Sequence, residues 1–550
     1  MRTLCFSVFL MGTTSILSPA LAGTVCPTGT TLSACGSPGF ATAPGDLVID
    51  GTAYRSYDGT GNNVANETWG AAGAEFTSRA QSDSMTRVDG PDARDVSTSI
   101  GDNGSAAPTS SQGLSSMFWA WGQFLDHDIT LTPESHDAGE LVLGGDLGSV
   151  NRSEQTASGT QFNNATAYID ASMVYGTSEE QATDLRTNDG TGRLYLDEDG
   201  YLPTDDNGQF KAGDPRVGEQ QQLTSMHTVF AREHNRIADS LSDANPDWTG
   251  EKVYQESRAL VGAQIQAVTY NDWLPKLLGE DGVGAYQGYD ANASATLTNE
   301  FSTCAFRFCH SMIPDELERL AENGDPIAQG HLKLRDGFFN PEEFVEGGGT
   351  DPLLRGLAQQ EAMEVDALMS DELRNFLNAG DGEDGDLMAR NIARGRDHGI
   401  EDYNVLRAAY GLDPIDSWDE LSDDPLVVAE LRTLYGETPD GLDPFLGALL
   451  ETPKDGAIVG ELNWSIISDQ FTRLRDGDRF WYENLFDGEV LAWLENRSLS
   501  DIILDNTGIE WLQDDVFVAV ERNGVAVPGM LGLILLFGVG AARRQRRRNG

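Results

Sequence analysis

From about residue 110 onward, apolar residues return at helical spacing in this 550-residue chain, and strand-like alternation is scarce. That periodicity confines the body to a mainly α fold. The segment LTSMHTVFAREHNRIADSLSD (223–243) reads as an amphipathic helix. KVYQESRALVGAQIQAVTYNDWLPKLL (252–278) reads as a second, expected to stop near Pro275. NEFSTCAFRFCHSMI (299–313) reads as a third, ended by Pro314, and DQFTRLRDGDRFWYENL (469–485) supplies two shorter pieces. Gly- and Asp-rich loops such as LNAGDGEDGD (377–386) separate the helices, and no internal repeat is present. The expectation is one large helical domain over 86–520 with few short strands. Residues 23–85, rich in Gly, Ala, Thr and Asn, are expected to form a loosely structured arm.

The two ends carry different signals. Arg2, the apolar run LCFSVFLMG and the small residues Ala20-Leu21-Ala22 read as a signal peptide over 1–22, which implies export to an oxidising compartment, secreted or in the cell envelope. Residues 525–550 hold an uncharged apolar stretch, VAVPGMLGLILLFGVGAA, followed by RRQRRRNG. This reads as a membrane anchor or as a sorting tag cut after export, with membrane contact only while it is retained. Cys26 and Cys35 close a short loop and are expected to be bridged. Cys304 and Cys309 would lie about 140° apart on a helix and are expected to be unbonded and buried. The net charge of −51 and only five lysines exclude a nucleic-acid binder, which needs a cationic footprint. They suit salty surroundings, where at 1 M the Debye length shrinks to about 3 Å.

WGQFLDHDIT (121–130) places a histidine between two aspartates. On a helix, Gln123, Asp126 and His127 fall within an arc of about 100°, while Asp128 points about 100° beyond His127. The stretch is either a solvated charged surface or two sites sharing one helix. ATAYIDASMVYG (165–176) sets Thr166, Tyr168, Asp170 and Ser172 at alternate positions, where their oxygens could wrap a hard cation such as calcium, with Asp128 as a further ligand. The alternative is a polar loop.

WGQFLDHD, YIDASMVYG, LTSMHTVFAREHNRIA, FRFCHSMI, NIARGRDHG and QFTRLRDGDRFWYEN followed by DNTG stand in the order found in animal-type haem peroxidases. The chain resembles that family, which includes myeloperoxidase, lactoperoxidase and peroxidasin, over roughly residues 85–515. Its ends suggest an exported bacterial member. The resemblance implies a single peroxidase domain with haem b in its core. It gives His127 the role of distal acid–base group, Gln123 that of ordering the distal pocket and Arg216 that of stabilising negative charge as the O–O bond breaks. His310 becomes the proximal iron ligand, Asn391 the acceptor of its other ring N–H, and Arg307 and Arg394 the neighbours of the propionates. Asp126 and Glu219 stand where the animal enzymes form haem esters. Gln220 stands where myeloperoxidase has a methionine bonded to haem, so that link and part of the case for chloride oxidation are absent. Asp128, Thr166, Tyr168 (through its carbonyl), Asp170 and Ser172 match the family's calcium site.

The implied reaction reduces hydrogen peroxide through a high-valent iron intermediate and oxidises bromide, iodide, thiocyanate or small organic donors. A fatty-acid dioxygenase of the same superfamily needs a radical tyrosine where this chain has Arg307. An adhesion protein with a dead peroxidase fold need not keep His127, Arg216, His310 and Asn391 together. His227, His234 and His398 are expected to form structural hydrogen bonds, and His136 and His331 carry no recognisable context.

Overall fold

The computed structural model describes residues 43, 45–80, 90–102, 107–145, 147–377 and 385–520. The expected signal peptide, the Cys26–Cys35 bridge and the apolar C-terminal segment lie outside them. Among the described residues, no helix is long and apolar enough to cross a membrane.

A helix that is apolar on nearly every side must be buried on nearly every side. SMFWAWGQFLDHDI forms such a helix, Ser116–Ile129, and within it only Gln123 and Asp126 are not buried. Helices Gln221–Ala244 and Thr350–Gln359 and the Ala305–Met312 segment pack around it, and Gly250–Val268 lies against Gln221–Ala244. Strands are short: the described residues hold four two-stranded antiparallel sheets, the longest pairing Glu134–Val142 with Ser149–Ser153. The architecture is mainly α, as expected.

Two helices depart from the expected outline. The second does not end at Pro275. After Gly250–Val268 the chain makes a π turn over Thr269–Trp273 and resumes as Leu274–Leu278, with Pro275 in its first turn. Proline has no N–H to give, and the start of a new helical segment requires none. The third is two pieces. Asn299–Thr303 is α-helical, Cys304 breaks it at φ −122° and ψ −71°, and Ala305–Met312 winds as a 3-10 helix. Three residues per turn stack residues three apart, so Arg307 lies directly above His310. Cys304 and Cys309 are free and buried.

The expected loose arm is, from Leu47 on, built into the body. Leu47–Ile49 and Thr52–Tyr54 form a hairpin, and the Tyr54 hydroxyl donates to Glu256 Oε1 at 2.7 Å. Arg55 grips the buried Asp478 carboxylate with two bonds of 2.9 Å, and Asn62 Nδ2 and Gln266 Nε2 donate to the same group at 2.9 and 3.0 Å. The Gly- and Asn-rich composition serves turns rather than disorder: Asn63 Oδ1 accepts the N–H groups of Ala65 and Asn66. Asp478→Ala would leave Arg55 buried without its carboxylate. We expect it to lower stability by about 3–5 kcal/mol, read as a shifted denaturation midpoint; an unchanged midpoint would show that this clamp contributes nothing.

Candidate active site

A cleft opens between the Ser116–Ile129 helix on one side and His310 with the Leu387–Asp397 helix on the other. Gln123, Asp126 and His127 all line it, as the helical arc required. Asp128 does not, and instead faces the 166–173 loop.

His127 is 4% exposed, and its ring stands between two carboxylates. Nδ1 is 3.7 Å from Asp214 Oδ1 and Nε2 is 3.6 Å from Glu219 Oε2. Burial, reinforced by the Arg216 charge, holds its pKa well below the ordinary histidine value. The imidazole is therefore neutral at neutral pH and able to accept a proton. Arg216 is fixed by Asp214, which accepts from its Nε at 3.0 Å and its NH2 at 2.7 Å, while NH2 also reaches the Thr130 carbonyl at 2.6 Å. NH1 stands 3.9 Å from Asp126 Oδ2. Gln123 Oε1 accepts from Gln222 Nε2 at 3.1 Å.

Across the cleft, the His310 ring contacts Asn391 at 2.8 Å through Nδ1, leaving Nε2 available. Burial, then Arg307, pushes its pKa down to about 3, so it is a neutral nitrogen donor. The Asn391 amide bridges His310 and Arg307, whose Nη1 donates to the amide oxygen at 2.9 Å. The 3-10 winding stacks Arg307 over His310, within reach of the same amide. Arg394 also lines the cleft, held by Ser153 Oγ and Asp397 Oδ2 at 3.0 Å each and by a close contact with Glu134.

Asp126 and Glu219 both face the cleft, and burial raises both acids, Asp126 to about 6 against the pull of Arg216 and Arg307. Their side chains keep 29% and 34% of their surface exposed on the cleft side. Gln220 lines the cleft as well and donates to the Leu334 carbonyl at 2.6 Å.

On the far side of the helix, the 166–173 loop encloses Asp128. Its Oδ2 accepts from Asp170 N at 3.0 Å and Ala171 N at 3.1 Å, and its Oδ1 from Ser172 Oγ at 3.0 Å and Met173 N at 3.3 Å. Ala171 takes a φ of 63° to aim its N–H inward, a left-handed conformation that is costly for a residue with a Cβ. Thr166 Oγ1 lies 3.4 Å from the Tyr168 carbonyl, while the Tyr168 hydroxyl points away, to the Trp69 carbonyl. Asp170 Oδ2 is buried with no hydrogen-bond partner among the described residues. Burial and mutual repulsion push Asp128 up to about 8, and burial raises Asp170 as well. Two buried acids with an orphaned oxygen, beside a hydroxyl and a carbonyl, are chemically suited to a hard cation.

The remaining histidines divide. His234 is satisfied by the Tyr175 hydroxyl and the Gly192 carbonyl, and His398 by Asn299 and Ser153. His227 forms no hydrogen bond among the described residues, contrary to expectation, and packs edge-on against Phe124 with centroids 5.0 Å apart. His331 Nδ1 accepts the Arg319 N–H at 3.2 Å. Sequence reasoning missed two groups that line the cleft, Arg390 and Glu134, and one that stands behind Arg216, Asp214. Asp214 had a visible signal, standing two residues before Arg216, and Arg390 stood beside Asn391. Glu134 had none, since its partner Arg394 is 260 residues away.

The model of the animal haem peroxidase family matches residues 54–144 and 143–517. The chain is 35% identical to mouse peroxidasin homolog over 85% of this chain and 38% of that protein, so it spans about two fifths of such relatives. It is 33% identical to peroxinectin A of Dictyostelium discoideum, over 84% of this chain and 95% of that one. Among solved structures, peroxidase A of Dictyostelium discoideum superposes with a TM-score of 0.76 at 31% identity, covering 84% of this chain and 99% of that chain. The fatty acid α-dioxygenase of Oryza sativa shares the fold, with a TM-score of 0.75 at 21% identity over 90% of this chain and 92% of that chain. The chain belongs to the animal haem peroxidase family.

Proposed function

We propose that this chain is a haem peroxidase that reduces hydrogen peroxide and oxidises small donors at the cleft. The observation that carries this reading is that neutral His127 and fixed Arg216 face neutral His310 across one cavity. The site fits haem: the cleft is large, His310 offers a neutral nitrogen, and Arg307 and Arg394 supply cations for propionates. Haem, when bound, supplies an iron that exchanges two electrons with peroxide. His127 takes the proton of the incoming peroxide and hands it to the leaving oxygen. Arg216, immobilised by Asp214, stabilises the negative charge that develops between them. Gln123, held by Gln222, orders the space above.

Small anions suit this cleft. Four arginines, Arg216, Arg307, Arg390 and Arg394, line it against three carboxylates, Asp126, Glu134 and Glu219, so the cleft escapes the strong negative charge of the chain, and esters at Asp126 and Glu219 would leave it cationic. Bromide, iodide and thiocyanate are the favoured donors over chloride, with glutamine rather than methionine at position 220. Asp126 and Glu219 are the groups placed to form esters with it, and haem that stays with the protein in acidic organic solvent would support those links. Arg307, in place of a radical tyrosine, disfavours a fatty-acid dioxygenase. Calcium is the proposed occupant of the Asp128, Thr166, Tyr168, Asp170 and Ser172 cluster. The sequence of the two ends supports export.

His127→Ala should slow the reaction with peroxide by about 10²–10⁴-fold while the protein retains haem, whereas His310→Ala should lose haem. Stopped-flow absorbance and haem content read both, and a His127→Ala protein with unaltered peroxide kinetics would rule out the acid–base role. Removing calcium with a chelator, or Asp128→Ala, should lower thermal stability and slow the peroxide reaction. Elemental analysis with melting curves checks this, and a protein purified without calcium that shows both properties intact would refute the site.

A further inference from the structure

We propose that oxidising equivalents also leave the cleft through buried tryptophans, so that the protein can oxidise a one-electron donor too large to enter it. The inference rests on the peroxidase reading above. The route begins at Gly122, where the cleft-lining helix has no side chain. A Cβ there would lie 2.9 Å from Cys309 Sγ, which also lines the cleft, and 3.4 Å from Trp273 Cζ2, so the indole stands directly behind the cleft wall. Trp273 is fully buried, and its Nε1 donates to the Phe118 carbonyl at 2.9 Å. It lies on the π turn, as does Tyr270, and both rings touch Phe471, with centroids at 6.4 and 5.9 Å. Tyr270 in turn stands edge-on to Trp481 at 4.7 Å.

Trp481 differs from the other rings in having a proton acceptor. Its Nε1 donates to Glu483 Oε1 at 3.3 Å. The Tyr270 hydroxyl has only the Phe471 carbonyl, a poor base, and Tyr286 has no hydrogen-bond partner for its hydroxyl among the described residues. Oxidising an indole makes its N–H strongly acidic, so a neighbouring carboxylate holds the vacancy at Trp481. Trp481 is 1% exposed and is screened by Tyr286, 6.0 Å away and partly exposed. A donor resting on Tyr286 is therefore separated from Trp481 by one ring.

The electrons balance. Trp481 passes one electron along the rings to the oxidised cofactor and its Nε1 proton to Glu483. The docked donor returns one electron, and the proton comes back from Glu483. Over one turnover, one peroxide, two protons and two electrons from two donors give two waters. For a phenol on a polymer or protein, the donor supplies both the proton and the electron, leaving a phenoxyl radical.

The test uses ferrocytochrome c, a one-electron donor that cannot enter the cleft, alongside iodide, which can. Wild-type haem-loaded protein should oxidise both with peroxide. Trp481→Phe keeps the packing but removes the oxidisable ring, and Glu483→Gln, at an exposed position, removes only the proton acceptor. Each should slow ferrocytochrome c oxidation by about tenfold or more and leave iodide oxidation unchanged. Without donor, peroxide should give a protein radical in wild type, seen by electron paramagnetic resonance and trapped by a nitroxide at Trp481 or its neighbour Tyr286. Both variants oxidising ferrocytochrome c at the wild-type rate, or a trapped radical confined to other sites, would overturn the route while iodide oxidation upholds the peroxidase reading. Failure of wild type with iodide as well would overturn that reading itself.

Discussion

The enclosure of the Asp128 carboxylate by the backbone of residues 170, 171 and 173 fixes the helix on which the cleft is built. Four donors converge on that one side chain, and Ala171 accepts a left-handed backbone to complete the set. Asp128 is joined to His127 through one peptide bond, so whatever holds the carboxylate also sets where the imidazole stands. The Ser116–Ile129 helix is then a rigid beam with two faces. Gln123 and Asp126, its only residues not fully buried, look into the cleft, and Asp128 looks into the loop.

The same economy of charge governs the cleft. Every arginine that sequence reasoning placed there is restrained by its neighbours: Arg216 by Asp214, Arg307 by Asn391 and Ser302, Arg394 by Asp397 and Glu134. Such cations need no reorganisation when negative charge appears, which is what makes prearranged dipoles and ions effective in a site shielded from water. Burial works alongside this on the histidines. It keeps His127 and His310 neutral, as the proposed reaction requires of one to move a proton and of the other to donate a lone pair.

Much of this was legible before any coordinates, because it is local. Periodicity alone separated Gln123, Asp126 and His127 from Asp128, and alternation alone gathered Thr166, Asp170 and Ser172 on one loop. What could not be read is non-local or depends on winding. Nothing near Glu134 announces Arg394, and nothing in the composition of residues 47–79 announces that Arg55 closes on Asp478. A switch from α to 3-10 at Cys304 alters which residues stack, and it brings Arg307 and His310 to the same Asn391 amide. His227 shows the limit of helical spacing as evidence: it shares a face with His234, yet packs against Phe124 instead of forming a polar contact.

In the proposed reaction His127, Arg216 and His310 form one peroxide-reducing site around haem. Rapid-mixing absorption spectroscopy of the purified, haem-loaded protein with one equivalent of peroxide tests it most directly. The Soret band should change on mixing with peroxide, before any donor is added, and return when iodide or bromide follows. A protein that shows no Soret band, or one whose band peroxide leaves unchanged, would contradict it.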